Sequence, residues 1–598
     1  MFFEFYFSAT RKCSATFVML CSDVSLSYRK SIAILVVSFN PEVTMFFRVK
    51  KSGPRHYLQI VENFREGDRV RQRVLTTLGR LDHLQQSGQL DGLLASGARF
   101  AEHVLLLTAH KNCQVPEISL QRLGPALIFE RLWKETGCQQ VIAQLLGGRQ
   151  FDFPVERAVF LTVLHRLCET GSDRAGQRWK IDHLIDGKDD LALHHMYRAM
   201  AWLGEELPAN QQQGSAKLVP RCNKDLIEER LFEQWRDLFS ELEIVFFDTT
   251  SLYFEGEGGE TLGQHGYSKD HRPDLHQLVV GAVLDSAGQP ICCELWPGNT
   301  ADVTTLLAVV DRLWQRFHVR KVCIVADRGM ISQETVADLE QQGTPYILGA
   351  RMRKQNEVRH DVLNDKGRYQ VVHGPREKTT DPAPLKVKEV WVKDRRYVVC
   401  INSEQGEHDR QQREQIVAAL KEQLRQGDKA LVGNKGYRRY LKVEGDSHFA
   451  IDEDKLKEEA RYDGKWVLRT NTELTTAEVA LQYKKLWMVE QWFRSCKSLL
   501  ETRPIYHKRD ATIRGHVFCS FLALVLRQEL QTRLEARGHK LEWADVMRDL
   551  EGVRYVEVVQ GAKHFRLRSD LQGTAGRVFQ SAGVAVPPTV QEMGATET

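Results

Sequence analysis

Residues 245–258 (VFFDTTSLYFEGEG) and 322–332 (VCIVADRGMIS) each place an aspartate directly after a run of apolar residues. Such short apolar runs, bounded by turn-forming residues, predict buried β-strands. Asp248 and Asp327 would then lie at strand ends, at the edge of a sheet where α/β proteins place their ligands. A carboxylate there carries a desolvation cost unless it meets a cation, which a metal ion would supply. Taken singly, each aspartate is more typical of a turn or a helix cap.

The segments around both aspartates alternate between strand and helix patterns. The apolar patterns predict strands at 244–247, 276–284, 291–295, 322–326 and 346–350, and helices at 304–316 and 332–341. Three consecutive strands followed by helix, strand, helix and strand predict a mixed α/β sheet.

A third acid stands within residues 481–501 (LQYKKLWMVEQWFRSCKSLLE). Tyr483, Glu490 and Lys497 are seven residues apart in succession, so on one helix they form a stripe that drifts only about 20° per heptad. An apolar stripe beside it would pack on the sheet and leave Glu490 directed along the sheet edge toward the two aspartates. The simpler alternative is a surface ion pair between Glu490 and Arg494, worth about 0.2 to 0.5 kcal/mol.

Outward from this region the periodicity changes several times. Helical patterns occur at 120–135, 154–169, 194–203, 226–238, 410–425, 477–500 and 513–536, with 477–500 as the longest amphipathic helix, and strand patterns occur at 46–49, 57–61, 70–75, 387–392, 397–402 and 466–470. The chain is thereby divided into residues 1–44, basic strands at 45–83, a helical domain at 84–240, α/β segments at 241–351 and 476–535, a β-rich insertion at 352–475, and a C-terminal region at 536–598. Residues 1–44 lack clear periodicity, so we expect Met45 to be the natural start and the preceding residues to be a disordered upstream extension.

Composition excludes several protein classes. The 598 residues exceed one hydrophobic core, so two to four domains are expected. No segment supplies the roughly 18 uninterrupted apolar residues that a membrane span needs. The 12 cysteines contain no C-x2-C pair, which disfavours a zinc or redox motif and fits a reducing cytoplasm.

Positive charge is concentrated locally, although the net charge is only +4. Residues 45–80 contain nine basic residues against three acidic ones, and residues 494–514 contain six against two. Each stretch alone is more often a solvated charged face than a nucleic-acid contact. The usual electrostatic footprint of nucleic-acid binding is a local basic stripe rather than a small global excess of positive charge.

The run around Glu490 resembles the Y-x2-R-x3-E-x6-K signature of DDE insertion-sequence transposases of the IS-four-like superfamily. Tyr483, Glu490 and Lys497 match it by spacing, whereas the signature arginine is replaced by Leu486. The segments DTTSLYFEGE, HGYSKDHRPDLHQLVVGAVLD, WPGNTADVTT, VADRGMIS and RPIYHKRDATIRGHVF are similar to one branch of that superfamily, in the same order. The resemblance extends from Met45 almost to the C-terminus.

This resemblance implies the fold and the chemistry. It implies a ribonuclease-H-like catalytic core at 241–351 and 476–535 that is interrupted by the β-rich insertion, with Asp248, Asp327 and Glu490 as catalytic residues and ligands of two Mg²⁺ ions. We hypothesise that Asp248 bridges both ions while the other two acids hold one each. Two such ions supply a nucleophile and stabilise the leaving oxygen, Mg²⁺ prefers oxygen ligands, and Mn²⁺ could replace it.

The resemblance also implies contacts with DNA phosphates. Tyr483 and Lys497 are expected beside the scissile bond, with Lys484, Lys485 or Arg494 compensating for Leu486. Further candidates are Arg272, Arg328, Lys50, Lys51, Arg71 and Arg73, and the helical domain is expected to share in recognising the element ends. Contacts of this kind weaken steeply with salt.

The predicted function is that of a bacterial insertion-sequence transposase, which binds element ends, hydrolyses phosphodiesters and transfers strands. Its expected partners are double-stranded DNA, as element ends and as target, and a second copy of the chain in a homodimer on DNA. We expect a cytoplasmic, nucleoid-associated protein without membrane contact. The alternatives are a metal-dependent nuclease without strand transfer and a catalytically inactive DNA-binding repressor of the element.

Overall fold

The computed structural model describes residues 44–66, 69–90, 93, 117–212, 219–235, 243–318, 322–426, 440–444, 448–560 and 563–593. The chain divides into two units, Met1–Pro116 and Glu117–Thr598, each of which is described by itself. Almost all of the predicted upstream extension, 1–44, lies outside the described residues.

The first unit is an antiparallel three-stranded sheet. Strands β1 (Thr44–Ser52), β2 (Arg55–Glu66) and β3 (Arg69–Arg80) pair in the order β1-β2-β3, followed by helix α1 (Leu81–Gln86). The predicted strands at 46–49, 57–61 and 70–75 are confirmed, and each is longer than its apolar pattern. Gly53 adopts a positive φ of 59° in the β1–β2 turn, a conformation that glycine reaches without a steric penalty.

The second unit begins with strand β4 (Glu117–Arg122) and a set of helices. Helices α2 to α7 span Gly124–Glu135, Cys138–Leu146, Val155–Cys168, Asp173–Trp179, Leu193–Leu203 and Asn223–Trp235. The helix predicted from residue 120 is therefore wrong at its start, because residues 120–122 pair with residues 554–556, which are distant in the sequence. Local periodicity carries no information about such a partner.

A nine-stranded mixed sheet forms the centre of the second unit. Its order is β10-β11-β12-β15-β9-β8-β5-β6-β7. The strands are β5 (Ile244–Tyr253), β6 (Gln277–Leu284), β7 (Pro290–Pro297), β8 (Cys323–Ala326), β9 (Tyr346–Gly349), β10 (Gln370–His373), β11 (Leu385–Val392), β12 (Arg395–Ile401) and β15 (Lys465–Thr470). Only β8 pairs in parallel, with β5 on one side and β9 on the other. The predicted mixed α/β sheet is confirmed.

Four strands from the segment predicted as an insertion continue this sheet. Strands β10, β11, β12 and β15 extend it beyond β9, while β13 (Leu441–Glu444) and β14 (His448–Ile451) form a separate hairpin. The described part of the segment also contains helices α10 (Ser403–Gln426) and α11 (Glu453–Ala460). The segment thus continues the central sheet, and its origin as an insertion stays a prediction.

The two faces of the sheet are covered by different helices. Phe247, Ile324 and Ala326 pack with helices α8 (Asp302–Phe317) and α9 (Gln333–Gln341). Phe246 and Val325 belong to the cluster on the opposite face, which includes residues of the helices that follow β15. Because strand side chains alternate between faces, Asp248 and Asp327 are directed to the second face.

The predicted helix 477–500 is wrong as one continuous helix. The segment forms helix α12 (Thr476–Lys484), a tight turn, helix α13 (Trp487–Arg494) and a π-helical turn at Ser495–Leu499. At the break, the backbone N–H groups of 485, 486, 488 and 489 bond three residues back, a tighter winding than in an α-helix. The break lets Leu486 and Val489 both enter the core, so packing overrides the heptad spacing.

The longest helix among the described residues is α14 (Asp510–Ala536), with 27 residues, most of them buried. It contacts helices α2, α4 and α6. The chain then forms α15 (Trp543–Glu551), β16 (Arg554–Gln560), β17 (Lys563–Arg568), α16 (Ala575–Ala582) and β18 (Val590–Met593), and its strands join β4 in a second sheet of order β18-β17-β16-β4. Among the helices that the structure describes, none is both long and apolar enough to cross a membrane.

Candidate active site

The register between β5 and β8 places Asp248 beside Asp327. Phe247 pairs with Ala326, the last residue of β8, so the next residue of each strand is an aspartate. Asp248 lies within β5 rather than at its end, because β5 continues to Tyr253 alongside β6. The prediction of a strand end is therefore wrong for Asp248, although its parallel partner does end there.

The surroundings of Asp248 favour a cation. Burial raises the pKa of Asp248 to about 6; the charge of Lys269 opposes this shift, and the charges of Asp327 and Asp302 add to it. A carboxyl group whose charge is opposed by burial and by neighbouring carboxylates gains from a bound positive ion. Oxygen donors arranged in this way are the ligands that Mg²⁺ prefers.

Tyr483 connects helix α12 to this edge of the sheet. Its hydroxyl donates a hydrogen bond of 2.9 Å to Asp327 Oδ1. Burial, together with the charge of Asp327, raises the pKa of Tyr483 well above its usual range, so the phenol stays a donor. Gly349 lies against the same hydroxyl. A Cβ atom at this position would collide with Tyr483 Oη.

Glu490 lies on α13, which packs against β5 and β6. Its side chain is exposed, and among the described residues it has no hydrogen-bond or ion-pair partner. The alternative ion pair between Glu490 and Arg494 is thus not formed. Glu490 opens into a cavity of about 350 Å³ lined also by Trp487, Gln491, Arg494, Ser495, Ser498, Leu499 and Arg527.

Two charged residues that the sequence analysis did not select lie at this site. Lys269 Nζ donates to the carbonyl of Thr249 at 2.7 Å and to its hydroxyl at 2.8 Å, and it pairs with Asp302 Oδ2 at 3.2 Å. The Thr249 hydroxyl donates to Asp302 Oδ1 at 2.8 Å. Lys269 belongs to the motif HGYSKDHRPD and Asp302 to the motif PGNTAD.

Lys497 is directed away from solvent. Its ammonium donates to Asp270 Oδ1 at 2.9 Å, and Arg503 approaches the other oxygen of the same carboxylate at 3.3 Å. Lys497 is 12% and Asp270 8% exposed at the side chain, so this lysine is already neutralised. A DNA phosphate could reach it only by replacing Asp270.

The other predicted DNA contacts of this unit are dispersed. Arg328 and Arg494 are exposed, while Lys484 and Lys485 are half-buried. Arg272 forms an exposed ion pair of 2.8 Å with Asp274.

In the first unit, the predicted basic residues divide between the two faces of the sheet. Lys50 and Lys51 are consecutive on β1 and therefore point to opposite faces. Through the register with β2, Arg71 and Arg73 share the face of Lys51. Arg73 is paired with Glu62 at 2.6 Å.

A second group of ligand-type side chains lies apart from these carboxylates. Asp173 Oδ2 and His507 Nε2 are 3.2 Å apart, and His507 Nε2 lies 3.2 Å from His516 Nδ1. However, Arg166 Nη2 lies 2.9 Å from His516 Nδ1 and 3.5 Å from Asp173, so a positive charge is already present. Burial and the charge of Arg166 hold the pKa of His516 well below its ordinary value. These contacts describe a buried hydrogen-bond network, not the oxygen site expected for Mg²⁺.

Two family models match the chain. Residues 47–109 match the model described as IS1634 family transposase, N-terminal domain, and residues 240–526 match the transposase DDE domain. The second match contains Asp248, Asp327 and Glu490 and ends one residue before Arg527. No curated protein matches the chain significantly.

Proposed function

This chain is a DDE insertion-sequence transposase, and on that premise we propose that it cleaves the ends of its element and joins them to target DNA at one metal-dependent site. Asp248, Asp327 and Glu490 are the proposed catalytic residues and metal ligands. The observation that carries the proposal is the register of β5 and β8, which aligns Asp248 with Asp327 on one face of the sheet.

The donor set fits hard divalent cations such as Mg²⁺. Two carboxylates lie side by side, and the raised pKa of Asp248, caused first by burial, reports a site where bound positive charge is favourable. When bound, two such ions supply a water nucleophile and stabilise the leaving oxygen. The chain itself orients the ligands: Tyr483 fixes Asp327 through its hydroxyl, and Lys269 fixes the backbone that follows Asp248.

Glu490 is the proposed third ligand. It lies on the helix that packs against β5 and β6, and its carboxylate is free of protein partners among the described residues. An unpaired, exposed carboxylate retains all of its acceptor sites for an ion.

The proposed DNA-contacting residues differ in whether their side chains are free to bind a phosphate. Arg494 and Arg328 are exposed and can bind a phosphate directly. Lys497 must first release Asp270 before it can bind a phosphate. Lys484, Lys485, Arg272 and the basic residues of the first unit, Lys50, Lys51, Arg71 and Arg73, would add phosphate contacts along the duplex. We also propose a homodimer on paired ends and a cytoplasmic, nucleoid-associated location.

The test is a cleavage and joining assay. Purified chain is incubated with labelled element ends and target DNA, with Mg²⁺, Mn²⁺ or EDTA, and the nicks and joined products are mapped. Glu490→Gln, Asp248→Asn and Asp327→Asn should each lower cleavage by at least about 100-fold, while binding of the ends stays measurable. Asp338→Asn, which alters an exposed carboxylate on α9, is the matched control and should cleave normally.

The outcomes separate the alternatives. Full activity of Glu490→Gln would remove Glu490 from the metal site. Nicks without joined products would indicate a nuclease that lacks strand transfer. Binding without any metal-dependent cleavage would indicate a repressor.

A further inference from the structure

The cavity beside Glu490 contains more positive charge than its neighbours neutralise. Arg494 and Arg527 are its two guanidinium groups, and Glu490 is the one acid among its lining residues. Among the described residues, neither arginine forms an ion pair with a carboxylate. The cavity, of about 350 Å³, is large enough for a phosphate group with its attached sugar atoms.

Arg527 is held in place without a counter-charge. It lies half-buried on α14, donates to Ser495 Oγ at 2.8 Å, and stacks 4.9 Å from the centre of the Trp543 ring. Its Nε is buried and has no acceptor. Burial lowers the pKa of Arg527, but a guanidinium remains charged in proteins. A partly buried cation without a carboxylate partner is stabilised when an anion binds to it.

We propose that Arg527 and Arg494 form a phosphate-binding subsite beside Glu490, which takes a backbone phosphate of the bound DNA. A guanidinium offers a planar set of donors that matches two phosphate oxygens, which a lysine cannot provide. Arg527 approaches from α14 and Arg494 from α13, so the phosphate would be held between two helices. The Arg527 contacts with Ser495 and Trp543 orient the guanidinium before DNA arrives, which lowers the entropic cost of binding.

The inference rests on the proposed function, because it assumes that DNA approaches Glu490. It adds a residue outside the segment that matches the DDE domain, since that match ends at residue 526. The subsite also places a fixed positive charge in the cavity that Glu490 lines.

The experiment measures duplex binding by the full chain over a series of salt concentrations. Loss of one phosphate contact should reduce the slope of log affinity against log salt by about one. Arg527→Gln should show this reduction and bind the duplex several-fold more weakly at low salt, and Arg494→Gln should behave alike. Arg533→Gln is the matched control, because Arg533 lies on the same helix but is already paired with Glu135 and Glu529.

Arg527→Lys keeps the positive charge but loses the planar pair of guanidinium donors. It should therefore retain the parental slope of log affinity against log salt while binding the duplex more weakly than the parent chain. An unchanged slope in Arg527→Gln would overturn the inference and leave Arg527 with only a packing role on Trp543. If Arg527→Gln fails to fold, the slope of Arg494→Gln and the affinity of Arg527→Lys decide, and a parental slope in the first with a parental affinity in the second would equally overturn it. Inorganic phosphate at millimolar concentration distinguishes a general anion site. If phosphate stabilises the parent chain against heat and stabilises Arg527→Gln less, while the slope for the duplex is unchanged in Arg527→Gln, the site takes free phosphate rather than DNA.

A parent chain that binds DNA with the expected slopes but does not cleave it would refute the proposed function and leave the subsite intact.

Discussion

At the scale of single residues, burial decides which titratable groups are charged. Asp248 and His165 are both held by their surroundings toward the neutral form, the first at the candidate site and the second within helix α4. His165 packs against the Trp179 ring at 5.3 Å, and its Nε2 is buried without a partner. For His165, burial outweighs the charge of Asp173, which acts in the opposite direction and favours the protonated imidazole.

His165 gives a pH prediction. Burial lowers the pKa of His165 to about 4, below the ordinary 6.5, so between these values the unfolded chain binds a proton that the folded chain does not. The contribution of this group to the free energy of unfolding is therefore full above pH 6.5 and should fall by up to about 3 kcal/mol as the pH drops toward 4. His165→Phe should flatten that part of the profile in urea unfolding at pH 7.5 and 5.0.

The control for this measurement is His194→Phe, which changes an exposed imidazole on α6. It should keep the parental dependence on pH. A His165→Phe profile as steep as the parental one would show that other groups cause the acid sensitivity.

At the scale of elements, the apolar patterns predicted the strands and helices between 244 and 350 with small errors at their ends, except that β5 continues six residues beyond its predicted end at 247. The sequence could also indicate Asp248 and Asp327, because an acid that follows an apolar run is a local signal. It could not indicate Lys269 or Asp302, whose contacts with Thr249 depend on the packing of a loop and a helix against β5. Nor could the seven-residue spacing reveal that the helix breaks between Lys484 and Trp487.

The break between α12 and α13 has a consequence for the predicted stripe. Tyr483 lies on one helix and Glu490 on the next, while Lys497 lies in the π-helical turn. The three side chains consequently have three different environments: a hydrogen bond to Asp327, solvent, and a buried ion pair. Spacing in the sequence thus preserved the order of these residues but not a common face.

The contact between α12 and β9 gives a second prediction. In Gly349→Ala the new methyl group would collide with Tyr483 Oη, which must move away from Asp327. We expect a loss of about 1 to 3 kcal/mol in the free energy of unfolding, together with weaker cleavage at limiting Mg²⁺, because Asp327 loses its donor.

A double-mutant cycle with Tyr483→Phe checks the cause. Removing the hydroxyl removes the worst collision, so Gly349→Ala should cost less in the Tyr483→Phe background than in the parent chain. Additive losses would show that the strain arises elsewhere, for example at the backbone of Arg328, which also approaches the new Cβ.

At the scale of the second unit, buried charges connect the helices before β5 with the catalytic sheet. Arg316 on α8 pairs with Glu228 on α7 at 2.6 Å and with Glu294 on β7 at 2.8 Å. The network also includes Arg312, Asp225 and Lys224. All of these side chains are almost fully buried. The network joins a segment predicted as a separate helical domain to the sheet that carries Asp248, although the domain boundaries themselves stay predictions.

Removal of one member should therefore destabilise both parts together. In Arg316→Met, several buried carboxylates lose their shared partner, and such a change costs about 3 to 5 kcal/mol because the remaining charges are uncompensated. We expect calorimetry of the full chain to show one shared transition for helices α2 to α7 and the central sheet, shifted to lower temperature in the variant. Arg548→Met, which removes an exposed guanidinium that pairs with Asp545 and Asp549, is the matched control and should change stability by less than about 1 kcal/mol. If Arg316→Met instead separates this transition into two, the helices fold independently of the sheet and the network only docks them; if it shifts nothing, the carboxylates have been neutralised by protons, which the pH dependence of the variant would reveal.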